Sequence, residues 1–358
     1  MGDEERSSTP FDPKQIRVLS KSMTIDLLLR RIQYQELDLA PDFQRKSGIW
    51  KDGSQSRLIE SILIRIPLPS FYIDATNNNK WIVVDGLQRL TALNRFVITQ
   101  ELKLCQLEFI KEHEGKTFKE LPRELQRCIE ETQLTVYLIE EGTPPDVKFN
   151  IFKRINTGGL PLSSQEIRHA LHQGEATKFL IELAGSAEFQ RAVDSNIRDD
   201  RMADREFVLR FLAFAITPYT EYYKDRDFES FLNRSMTHLN QMSKQDLYNL
   251  KYRFTRSMIA SFDIFGRDAF RKRYKADAPR SVINKALFES WSINLDKLSD
   301  AQIELLKSLR KTVNLKFIEL MNQEREFEKA ISQGTGDIGK VKRRFSAIDK
   351  LIQEVLTQ

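Results

Sequence analysis

Hydrophobic and polar positions change their period once along the chain. Up to Ile139, short apolar runs alternate with amphipathic stretches; from about Asp146 the apolar residues recur every three or four positions. Thr24 ahead of Ile25, Leu28, Leu29 and Ile32 predicts a capped amphipathic helix. Gln55 to Ile64 predicts a second, ended by Pro67 and Pro69. Ser70-Phe71-Tyr72-Ile73 reads as a short strand, Asn77-Asn78-Asn79 as a hairpin turn, and Trp81-Ile82-Val83-Val84 as the strongest strand. That last run is apolar at every position, so coverage on both faces is expected. Gly86 breaks it, and Leu87, Leu90, Leu93 and Val97 predict an inward-facing helix. Leu134 to Ile139 is the last strand-like run.

Beyond it, helices are expected over 146–155, 163–172, 175–184 and 204–216. Phe207 to Phe214 is apolar on most faces and predicts a buried helix. Phe228, Phe231, Leu232, Met236 and Leu239 mark another. Ile303, Leu306, Leu309, Val313, Phe317 and Leu320 predict one long helix, with Ser299 and Gln302 as its capping box. The pattern therefore predicts an α/β (α+β) domain over 20–185, a mostly α-helical region over 186–358, a boundary near Gly185, and a disordered leader over 1–19.

Composition supports this reading. Hydrophobic residues make up 41% and charged residues 30% of the 358, which fits packed cores and argues against global disorder. The net charge of +5 is mild for this length and permits an anionic partner without requiring one. Two basic clusters, around Arg271, Lys272 and Arg273 and around Lys342, Arg343 and Arg344, read either as solvated helix faces or as tracks for a phosphate backbone. Cys105 and Cys128 have no zinc-type spacing, and so few cysteines fit a reducing compartment. With no signal-peptide core and no long apolar run, a cytoplasmic protein without a membrane partner is expected.

The candidate chemistry sits where the strongest strand gives way to a helix, at Asp85-Gly86-Leu87-Gln88-Arg89. The first N–H groups of a helix lack internal partners and carry partial positive charge, so such a turn suits an anion. Gly86 lets backbone approach a ligand, Arg89 offers a planar fork of donors, and Asp85 offers oxygen to magnesium or a water. The bland alternative is a helix cap with a surface ion pair. Phe152-Lys153-Arg154-Ile155-Asn156-Thr157-Gly158-Gly159 is a second constellation, either an anion nest or a helix C-cap. Ser163 and Glu166 fit a capping box, which makes Glu166 structural. His169 and His172 share a helix face without a carboxylate-rich metal signature, so a surface or packing role is expected. Gly334-Thr335-Gly336-Asp337-Ile338-Gly339 spells a dinucleotide fingerprint but follows a helix, so it reads as a loop.

In order, Pro41-Asp42-Phe43-Gln44-Arg45 with Trp50, Leu58 to Leu63, Ile66 to Pro69, Asp85 to Leu93, Phe152 to Gly159 and Leu162 to Ala170 resemble the family called domain of unknown function number 262. That family is similar to the N-terminal domain of GmrSD-type restriction enzymes, with a ParB/sulfiredoxin-like fold. Its usual signature is Asp-Gly-Gln-Gln-Arg; Leu87 replaces the first Gln here, and its place on the apolar stripe with Leu90 predicts inward packing.

The resemblance implies binding and hydrolysis of a nucleoside triphosphate with Mg2+, in bacterial defence against phage DNA. It implies that Arg45 and Arg89 grip phosphates beside Gln44 and Gly86. Asp85, Gln88 and Glu60 would arrange metal or water, and Arg154, Asn156, Thr157, Gly158 and Gly159 would close the site. No histidine lies after residue 240, so no HNH nuclease chemistry is expected there; a separate nuclease or methyltransferase subunit, DNA, and an oligomer are the implied partners. A sulfiredoxin-type activity lacks its cysteine beside the turn. The rival reading is a non-catalytic DNA- or protein-binding module on the same fold.

Overall fold

A computed structural model describes residues 17–39, 50–155, 162–197, 201–225 and 227–357. They divide into two compact units that part between Leu171 and His172.

The first unit runs β1 (Val18–Thr24), α1 (Ile25–Gln33), β2 (Leu37–Asp38), α2 (Asp52–Leu63), β3 (Phe71–Asp74), β4 (Trp81–Asp85), α3 (Leu87–Leu93), α4 (Arg123–Glu131), β5 (Gln133–Ile139), α5 (Pro145–Ile155) and α6 (Ser164–Leu171). Its strands form one mixed sheet in the order β1-β5-β3-β4-β2. β3 and β4 are antiparallel across the Asn77 turn, where the Asn77 side-chain oxygen accepts the Asn79 N–H at 2.9 Å. Parallel pairing joins β3 to β5 and β2 to β4.

The sheet is covered twice. Phe71, Ile73, Trp81, Val83, Val136 and Leu138 share one core with Leu28 of α1, Ile59 of α2 and Leu90 of α3. Val84 and Ile139 pack on the other side with Phe149 and Phe152 of α5 and Ile167 of α6. The unbroken apolar run of β4 thus follows from burial on both faces. Lys148 ties α5 to the sheet, 3.2 Å from Asp74 and from Thr76. Thr24 caps α1 by accepting the Leu27 N–H at 3.3 Å, as the sequence predicts. It also ends β1, a strand the hydrophobic pattern does not reveal because Val18 to Ser22 are all exposed.

The second unit is helical: α7 (Glu175–Ala184), α8 (Ala187–Ala192), α9 (Ala203–Ile216), α10 (Phe228–Gln241), α11 (Lys244–Phe265), α12 (Lys285–Asp296), α13 (Asp300–Ser308), α14 (Arg310–Gln323), α15 (Arg325–Ser332) and α16 (Ile338–Leu356). Gly185, expected at the domain boundary, is the C-cap of α7 inside this unit. From Phe207 to Phe214, every residue of α9 but Arg210 is buried. The single long helix expected from Ile303 to Leu320 is two, because the chain breaks at Leu309, which ends α13 and precedes α14. The Ser299–Gln302 capping box is present. The glycine-rich run 334–339 lies between α15 and the first turn of α16, where the Asp337 side chain accepts the Lys340 N–H at 2.9 Å.

Among the described residues, no helix is long and apolar enough to cross a membrane.

Candidate functional site at the Asp85 turn

Gly86 has φ +98°, a left-handed conformation, and a Cβ there would lie 2.3 Å from the Phe71 ring. Only glycine meets both demands without strain. Asp85 is therefore not the cap of α3; Gly86 is, and the Leu90 N–H donates to its carbonyl at 2.9 Å. Leu87 and Leu90 turn inward and join the core. At 8% exposure, Leu87 packs as its place on the stripe predicts and stays out of the site.

Arg89 is not a surface residue either. Its guanidinium lies 2.8 Å from Asp85 Oδ2, donates to the carbonyls of Pro69 and Ser70, and covers the Phe71 ring at 4.3 Å. Burial pulls this arginine below its usual value, and Asp85 opposes that shift. The outcome is a carboxylate held by an inward-facing arginine, with Asp85 itself part-exposed. Among the described residues, Arg89 engages Oδ2 of Asp85, and no hydrogen bond reaches Oδ1.

Gln88 reaches across to the chain ahead of α2, its Oε1 accepting the Trp50 N–H at 3.2 Å. Trp50 O accepts in turn from Gln55 Nε2 at 2.6 Å, and Gln55 Oε1 accepts from Arg95 at 2.9 Å. Trp50 is the first described residue after 40–49, the interval that contains Gln44 and Arg45. The other end of that interval follows β2, which runs parallel to β4 and so toward the same end of the sheet. α5 begins near Asp74, at the far end of β3, and its later residues Phe149 and Phe152 pack with Val84 and Tyr72. Its last turn carries the exposed Lys153 and Arg154. Gln44, Arg45, Asn156, Thr157, Gly158 and Gly159 lie outside the described residues.

Residues 25–173 match the family model of the GmrSD restriction endonuclease, N-terminal domain. No curated protein matches the chain. The matched span contains the Asp85 turn, Glu60 and both motif intervals. α7 and everything after it lie beyond its end.

Glu60, expected near metal or water, is 3% exposed and accepts the N–H groups of Glu108, Phe109 and Ile110 at 2.7–3.1 Å. Burial alone would raise its carboxyl. The three donors and Arg57 outweigh burial and hold it below the ordinary carboxylate range. Its oxygens pin a loop. Among the described residues, no cluster of three or more His, Cys, Asp or Glu stands ready for a metal. Ser163 and Glu166 form the expected reciprocal cap, at 2.6 and 3.1 Å. His169 and His172 are buried.

Two residues the sequence did not single out stand beside the turn. Tyr72 on β3 is the register partner of Asp85 on β4 and of Tyr137 on β5. The two phenol rings stack, with centroids 4.9 Å apart and planes 19° apart.

In the helical unit, most of the six basic candidates face protein. Arg271 is buried and donates to the carbonyls of Arg267 and Ser281. Lys272 pairs with Glu328 at 3.2 Å, and Arg273 with Asp268 at 3.2 Å and Asn314 at 2.9 Å. Arg344 is fully buried against Glu289 and donates to Thr335 O at 2.6 Å. Lys342 and Arg343 are exposed and line a cleft of about 640 Å³ with Lys316, Lys350 and Glu354.

Proposed function

We propose that the first unit binds a nucleoside triphosphate with magnesium at the Asp85 turn and hydrolyses it. In this reading the chain is a sensor or regulator in a restriction-type, anti-phage system that works on DNA or with a separate nuclease. The reading extends to a ParB/sulfiredoxin-like fold for the unit. The carrying observation is the contact at Gln88, whose Oε1 accepts the Trp50 N–H at 3.2 Å and so holds the described end of the 40–49 interval beside the turn.

The residues present fit a hard cation. Asp85 Oδ1 is open, and magnesium commonly needs only one or two carboxylates beside substrate phosphates. Bound there, the ion would neutralise phosphate charge. Asp85 is held in place by Arg89, which acts by positioning rather than by gripping phosphate. Phosphate contacts then fall to Arg45, Arg154 and the main chain of Gly86 and 156–159, with Gln44 beside them. Gln88 fixes the entry to the 40–49 interval. Inward packing of Leu87 is compatible with turnover.

The test is phosphate release from each nucleoside triphosphate with magnesium, for wild type and Asp85→Asn. The expected result is release by wild type and a loss of at least about tenfold in the variant. Binding without release, with or without DNA, would replace the enzyme with a nucleotide-dependent binding module.

A further inference from the structure

Tyr137, Tyr72 and Asp85 are partners across three adjacent strands, with a register shift between β3 and β4 just after Tyr72. Such a row places side chains as close neighbours across a sheet. Both phenols are half-buried, and among the described residues neither hydroxyl has a hydrogen-bond partner. A half-buried tyrosine hydroxyl usually finds one. Oδ1 of Asp85, the register partner of Tyr72, likewise has no hydrogen bond among the described residues. Two donors and one acceptor are thus collected, unengaged, at one end of the sheet.

A phenol keeps its proton through the physiological range and so acts as a donor to anionic oxygen. The Tyr137 ring props the Tyr72 ring from one side, which fixes its direction at low entropic cost. Tyr137 itself lies one strand further from Asp85.

We propose that the Tyr72 hydroxyl is a binding donor of this site, giving its hydrogen bond to a phosphate oxygen of the nucleotide beside Asp85. The inference rests on the nucleotide reading of the turn. The phenol supplies a contact that a second carboxylate would repel, and it leaves Asp85 Oδ1 to the cation.

The experiment compares wild type, Tyr72→Phe and Tyr137→Phe in the full chain. Each is titrated with ATP, GTP, CTP and UTP in magnesium, and each is melted without nucleotide. Phenylalanine keeps the ring stack, so a melting midpoint within about 2 °C of wild type is expected for both. Affinity for the triphosphate that wild type binds should fall about tenfold in Tyr72→Phe, the loss of one hydrogen bond to a charged group. It should change by less than about threefold in Tyr137→Phe. Unchanged affinity in Tyr72→Phe, equal losses in both variants, or a large drop in its midpoint would overturn the inference while leaving nucleotide binding standing. Failure of wild type to bind any triphosphate would remove both.

Discussion

The two units treat buried charge in opposite ways. In the helical unit, Glu289 is fully buried between Arg344 and Arg210, the latter 2.5 Å away. Arg210 also meets Glu206 at 2.7 Å, and Glu206 meets Lys285 at 2.8 Å. Burial would lower Arg210, but the two glutamates outweigh it and hold it above its usual value. Every charge of the cluster meets an opposite charge, though Arg344 Nε stays without a hydrogen bond among the described residues, and the cluster joins α9, α12 and α16. At the Asp85 turn, by contrast, one carboxylate oxygen and two phenol hydroxyls are left over after the internal pairing. A closed cluster specifies packing; polar groups left unengaged mark a candidate site.

The largest expected effect breaks the closed cluster. Glu289→Ala leaves two buried arginines short of their partner and should cost about 3–5 kcal/mol in urea unfolding. Triphosphate binding under native conditions should be unaffected, so a loss below about 1 kcal/mol would make the cluster peripheral. Gly86→Ala comes next. The left-handed φ and the Phe71 ring should together cost about 1–3 kcal/mol, with α3 displaced. A crystal structure of that variant with α3 unmoved would contradict the geometry.

Glu60 sharpens the contrast, because it is a closed acceptor within the unit that holds the open site. Its folded carboxyl lies below the unfolded value of about 4.3, so its contribution is present above that pH and lost as pH falls through the folded value. Glu60→Gln should cost about 1–2 kcal/mol near neutrality and flatten stability against pH in the acid range. An unchanged acid profile would remove Glu60 as the cause. The smallest effect concerns the cleft. Lys342→Ala with Arg343→Ala should lower the log–log salt slope of DNA binding by about 2, while Arg271→Ala should cost stability instead. A flat salt response in wild type would take nucleic acid out of the account.

Much of the fold was legible because burial imposes a period. β4 reads as a continuous apolar run since both its faces are covered, and α9 reads as apolar all round for the same reason. β1 was not legible: five exposed residues carry no alternation, and the pairing with β5 alone defines the strand. The break at Leu309 hid because the spacing of three and four continues straight through it. In the site, Gly86 and the inward Leu87 followed from local pattern. The inward turn of Arg89 depends on Pro69 and Ser70 carbonyls some twenty residues away, and the Tyr72–Asp85 neighbourhood depends on strand register. Glu60 carries no local sign that three N–H groups from another segment will meet it.

The central claim is that the Asp85 turn is open because a nucleotide fills it. Calorimetric titration of the full chain with ATP, GTP, CTP and UTP in magnesium tests this most directly, with Asp85→Asn as the matched variant. Saturable binding of at least one triphosphate by wild type, weakened about tenfold or more in the variant, is the predicted result. No binding of any triphosphate by wild type, or equal binding by the two proteins, would contradict it.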